Sequence, residues 1–121
     1  MNAEELAELI YKISRLRGFR AALVATPSGV ALAHVSEAEL DQTRMTQALE
    51  AISDESREAC EHMGIGEFLR ADVDLPEGHI CVAELGTGRL IALFGAAAKR
   101  SLPALIGDVL EGIRKDLASD G

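Results

Sequence analysis

Two short clusters in this sequence bring together residue types that ligate metals or act as nucleophiles: Cys60-Glu61-His62 and His79-Ile80-Cys81. Thiolate and imidazole are the usual ligands of a tetrahedral zinc site. The spacing works against one here. Cys60 and His62 fall in a helical pattern, where residues two apart point about 200° from each other. His79 and Cys81 share a strand face, yet two ligands do not close a site. The simpler reading buries Cys60, buries or half-buries Cys81, and leaves both histidines on the surface with no metal. The sequence has no G-x-S-x-G elbow and no catalytic-loop signature. Gly64-Ile65-Gly66 and Gly86-Thr87-Gly88 lack the lysine and hydroxyl residue of a phosphate-binding loop, and read as a helix stop and a hairpin turn. No catalytic residue and no cofactor site is expected.

Composition points the same way. The chain has 121 residues, enough for one domain that buries roughly two-thirds of its unfolded surface. Hydrophobic residues make up 48%, but aromatics only 3%, with no Trp. That scarcity argues against carbohydrate binding and against stacking on single-stranded bases. The net charge of −8 repels phosphate backbones, so nucleic acid and anionic membrane are not expected as direct partners. A basic patch on another protein is attracted instead. Cys60 and Cys81 lie in different elements, so no disulfide framework follows. Asn2, Glu4 and Glu5 carry the wrong charge for a signal peptide. The longest apolar run, Leu90 to Ala98, falls short of the ~20 residues a membrane helix needs. A soluble cytoplasmic protein with free thiols is the expectation.

The elements that would position these residues are legible from periodicity. Leu6, Leu9, Ile10, Ile13 and Leu16 mark an amphipathic helix over Ala3–Arg17, with Asn2 as N-cap, Glu5 three residues on, and Gly18 as the stop. Phe19–Ala25 and Val30–Val35 form a hairpin around Pro27-Ser28-Gly29. A second helix starts within Glu37–Thr43 and ends at Gly64, with Met45, Ala48, Leu49, Ile52, Ala59, Cys60 and Met63 as its apolar stripe. Leu69–Leu75, Ile80–Leu85 and Leu90–Phe94 follow as strands. A last helix spans Leu102–Leu117, capped by Ser101, with Pro103 in its first turn.

Strand composition then fixes the architecture. Ala21–Ala25 and Leu90–Phe94 are apolar throughout, as strands covered on both faces are. Leu69–Leu75 alternates strictly, which places it at an edge with one wet face. The expected fold is a three-layer α/β (α+β) sandwich, α-β-β-α-β-β-β-α, with a five-stranded antiparallel sheet in the order 2-1-5-4-3 and helices on both faces. The third strand contains no Pro or Lys to blunt it, so a twin strand from a second copy can pair there. One register sets Arg70 opposite the partner's Asp72. Arg70→Asp should then weaken a dimer, and added Asp72→Arg should restore it.

This layout resembles the Roadblock family, which includes dynein light chains and the bacterial gliding-motility regulators that partner small Ras-like GTPases. The likeness runs from about Leu6 to Leu117. It is carried by Arg17-Gly18-Phe19-Arg20-Ala21-Ala22-Leu23-Val24, by Gly29-Val30-Ala31-Leu32-Ala33-His34, and by the Gly86-Thr87-Gly88 turn. Ser28-Gly29 stands where the family usually has Asp-Gly. The resemblance implies a profilin-like sandwich and homo- or heterodimers whose sheets join edge to edge, with the second helices side by side. On this sequence the dimer surface falls on Met45, Ala48, Leu49 and Ile52, and on Leu69, Arg70, Ala71, Asp72 and Val73. GTPase contact falls on the polar face of the second helix: Gln47, Glu50, Asp54, Arg57, Glu58 and Glu61.

Arg44 and Arg57 lie on that helix, where an arginine finger is conceivable. The plainer expectation pairs Arg57 with Asp54 or Glu61. The lead function is therefore a non-catalytic homodimeric module that binds and regulates a small Ras-like GTPase or scaffolds a signalling or motility complex. The alternative is a small-molecule-sensing domain of similar architecture. A cavity of roughly 300 Å3 or more would favour it.

Overall fold

The computed structural model describes residues 3–36, 41–86, 88–95 and 106–112. Helix α1 spans Ala3–Ser14 and buries Leu6, Leu9, Ile10 and Ile13, the face its periodicity set out. It ends three residues before Arg17. Leu16 N–H donates to Ile13 O (3.1 Å) and Phe19 N–H to Leu16 O (3.2 Å), tightening the exit. Gly18 takes φ of +86°, a conformation that costs a residue with a Cβ about 1–2 kcal/mol. Asn2 lies outside the described residues.

Strands β1 (Phe19–Ala25) and β2 (Ala31–Ser36) form the expected hairpin. Helix α2 runs over Gln42–Met63. Asp41 caps it, accepting from the Thr43 N–H at 2.8 Å. Gly64 closes it in the left-handed region, with its N–H on Cys60 O. Strands β3 (Arg70–Leu75), β4 (Gly78–Glu84) and β5 (Arg89–Gly95) follow. Residues 106–112 form a third helix, α3. The expected flanks of that helix, with Ser101 and Pro103, lie outside the described residues.

The sheet order is β2-β1-β5-β4-β3, antiparallel throughout. The two uniformly apolar strands are central, as their composition required. One face carries α1 and α3, where Leu9, Ile13, Ile106 and Leu110 pack on Val24, Leu90 and Phe94. The other carries α2, where Met45 and Leu49 pack on Leu23, Val82 and Ile91.

Three expectations need correction. The buried line of α2 is Met45, Leu49 and Ser53, spaced four apart. Ala48, Ile52 and Cys60 are only half-buried, while Ala59 and Met63 are exposed, Met63 at 68%. At 3.6 residues per turn Ala48, Ile52, Ala59 and Met63 form one flank of the core line, while Cys60 falls on the line itself, beyond Ser53. His79 is buried at 6% exposure, contrary to a surface position. The polar face of β3 is also partly covered: a Cβ added at Gly107 of α3 would meet the Arg70 guanidinium at 2.8 Å.

The two edges differ. The β1–β2 register shifts once, between Val24 and Ala25 at the turn end of the hairpin. The β3–β4 register is unbroken from Arg70↔Ala83 to Leu75↔Gly78.

Candidate interaction surface

The edge at β3 is built from alternation. Leu69, Ala71, Val73 and Leu75 share the α2 face, and Arg70, Asp72 and Asp74 share the other. Glu84 N–H donates to Leu69 O at 2.9 Å. An antiparallel ladder repeats this at every second residue, so the N–H and C=O of Asp72 and Asp74 turn away from β4. Leu69 and Leu75 are 58% and 45% exposed. The strand thus presents outward backbone beside exposed apolar side chains.

Its polar face is an internal network. Arg70 Nε and Nη2 donate to Asp72 Oδ2 (2.7 Å) and Oδ1 (3.1 Å). His79, across on β4, sets Nε2 at 2.8 Å from Asp72 Oδ1 and Nδ1 at 2.8 Å from Asp74 Oδ1. Both ring nitrogens donate only in the doubly protonated imidazolium. Burial alone would raise the Asp72 carboxyl, but the bonds from Arg70 and His79 outweigh it and hold the group below the usual carboxylate range. Burial likewise opposes the Arg70 charge, and Asp72 restores it and lifts the guanidinium above its ordinary value. Cys81, beneath this network, is pushed up to about 12 by burial and then by the Asp72 charge. The Arg70–Asp72 pair placed between two copies by the sequence reading is therefore already closed within one strand.

On α2, Gln47, Glu50, Asp54, Arg57, Glu58 and Glu61 form one continuous strip on the flank away from Ala48 and Ile52. Arg57 does not pair along its own helix. Its Nη2 donates to Glu84 Oε1 on β4 at 2.5 Å. Arg89, 5% exposed, lies 3.2 Å from that same Glu84 oxygen and 3.7 Å from Asp54 Oδ1. Two residues of the strip are thus tied to the sheet. Arg44 is exposed with no charged partner among the described residues. Glu50 reaches Gly29, where φ is +91° and an added Cβ would collide with the Glu50 carboxylate.

The strip runs into a half-open groove of about 620 Å3. Arg57, Cys60 and Glu61 form its helical wall. Glu67, Phe68 and Leu69 form the second side, and Glu84 and Leu85 the end. The groove exceeds the volume named above as favouring a sensor. It depends on contacts between α2, the 64–69 segment and the β4–β5 turn, so local periodicity did not reveal it.

Among the described residues, no group of three or more His, Cys, Asp or Glu is placed to hold a metal. None of their helices is long and apolar enough to cross a membrane.

No family model matches the sequence, and no curated protein matches it. Solved structures match its fold. Myxococcus xanthus MglB superposes with a TM-score of 0.81 over 98% of this chain and 99% of its own, at 11% identity. The gliding protein MglB from Thermus thermophilus gives 0.79 over 100% and 95%, at 18% identity. A Roadblock/LC7 domain from Streptomyces avermitilis gives 0.72 over 90% and 93%, at 16% identity. The fold of this chain is that of Roadblock/LC7 and MglB structures.

Proposed function

We propose that the chain is a single-domain, non-catalytic, cytoplasmic interaction module that pairs with a second copy through β3 and the apolar flank of α2. In that pair, the α2 strip binds and regulates a small Ras-like GTPase or anchors a signalling or motility scaffold. The observation that carries this reading is the asymmetry of the edges. The pairing of β2 is interrupted at Val24/Ala25, whereas β3 keeps an unbroken register and turns the backbone of Asp72 and Asp74 outward. An edge with those properties is suited to strand addition. The exposed Ala59 and Met63, on the same flank of α2 as half-buried Ala48 and Ile52, offer further apolar surface. The flank of α2 that meets the twin is then the one bearing Ala48, not the one bearing Thr46 and Ser53, since Ser53 is fully buried.

The fold supports a Roadblock-type partner, and the acidic strip supports a basic surface on it. The test is capture of the host's small GTPases by the purified protein, each loaded with GTP analogue or GDP. Binding to one of them supports the reading, and binding to none reduces it to a dimeric scaffold. A second reading, small-molecule sensing, is favoured by the groove volume. A ligand that raises the unfolding temperature of the wild-type protein but not of a Phe68→Ala variant would support it.

A further inference from the structure

The groove beside α2 lies on the far side of that helix from the flank assigned above to the second copy. At about 100° per residue, Arg57 and Glu61 stand roughly opposite Ala48 and Ile52. The helical wall of the groove therefore stays clear of that flank, while Leu69, on the facing wall, adjoins the β3 edge.

Its chemistry is uneven. Glu61, Glu67 and Glu84 supply three carboxylates, and the one guanidinium in the wall, Arg57, is committed to Glu84. Glu84 also receives Arg89. Glu61 and Glu67 are exposed and have no ion-pair partner among the described residues. Between these carboxylates lies an apolar floor at Phe68, 8% exposed and part of the core under α2. Asp54 and Glu58 extend the negative surface along α2. An anionic ligand is repelled here, and a purely apolar one leaves the acidic rim unanswered.

We infer that this groove holds a basic amphipathic segment of a partner protein, with an arginine or lysine on Glu61 and Glu67 and an apolar side chain on Phe68. The inference deepens the proposed function, on which it rests, by naming the chemistry of the partner's anchor. Area alone does not set the affinity of such a contact. A few desolvated anchor side chains do.

The native cysteines provide the readout. Cys60 lines the groove and is half-buried, whereas Cys81 is fully buried with its thiol pushed up to about 12. A thiol reagent therefore reports on the groove. The probe is a synthetic helical peptide with arginines and leucines on one face at i, i+3, i+4 and i+7. Its control carries glutamate for each arginine. The basic peptide should slow Cys60 labelling and the acidic one should not. Glu61→Lys with Glu67→Lys should weaken protection about tenfold or more. Glu4→Lys with Asp108→Lys makes the same change in net charge at exposed sites elsewhere, and should leave most of the protection in place.

Equal loss in both variants would show non-specific attraction and overturn the inference, as would an absence of protection. Protection by a free alkylamine but not by the peptide would overturn it in favour of a small-molecule site. GTPase capture without peptide protection sinks this inference alone. Peptide protection without GTPase capture sinks the GTPase reading alone.

Discussion

Asp72 accepts from Arg70 and His79 at once. Its carboxyl is held below the usual range in the folded protein. A depressed carboxylate stabilises the fold at pH above its unfolded value, and that contribution fades as pH falls through the folded one. The acid limb of a urea-unfolding series should therefore be steeper in wild type than in Asp72→Asn, with the two converging at low pH. An Asn variant that is lost to acid as steeply as wild type would show that Asp72 does not carry the effect. None of this was legible from local pattern. The alternation of Arg70, Asp72 and Asp74 was visible, but His79 joins them only through the β3–β4 register, which sets Asp74 opposite His79 and Asp72 opposite Cys81. The partner of Arg57 was hidden for the same reason, since Glu84 is 27 residues away.

At the scale of elements, much of the chain could be read directly. The apolar runs of β1 and β5, the Gly64 stop and the alternation of β3 each reflect a local rule, and the sheet order followed from them. The phase of α2 did not. Seven apolar residues span more than one face, and packing on Leu23, Val82 and Ile91 selects the line through Met45, Leu49 and Ser53. Leu49→Ala should cost about 2–5 kcal/mol of unfolding free energy, because it removes a filled core position. Met63→Ala should stay within about 0.5 kcal/mol in the monomer, because its side chain is exposed. Chemical denaturation of the two variants checks the phase. Equal losses would mean that the helix is rotated from the position described. The groove was illegible because three elements distant in sequence build it.

At the scale of the whole molecule, two features divide the work. In the proposed arrangement the β3 edge and the apolar flank of α2 meet a second copy, while the acidic strip and groove meet a different partner. Charge reversal separates them. Arg70→Asp sets a third carboxylate beside Asp72 and Asp74 and should weaken self-association, read as a higher midpoint concentration in sedimentation. Added Asp72→Arg should not fully restore it, because an arginine there faces His79 and removes one of its acceptors. Full rescue would instead favour a pairing between copies over the closed pair within the strand.

The most direct test of the edge is amide hydrogen exchange at Asp72 and Asp74, measured across a dilution series of the native protein. If the outward backbone of β3 is bonded to a twin strand, these amides are protected at high concentration. They then lose protection together as the particle falls from about twice the 12.9 kDa chain mass to a single chain. Fast exchange at every concentration, in a particle that remains one chain, would contradict the proposal that this edge is where the protein joins itself.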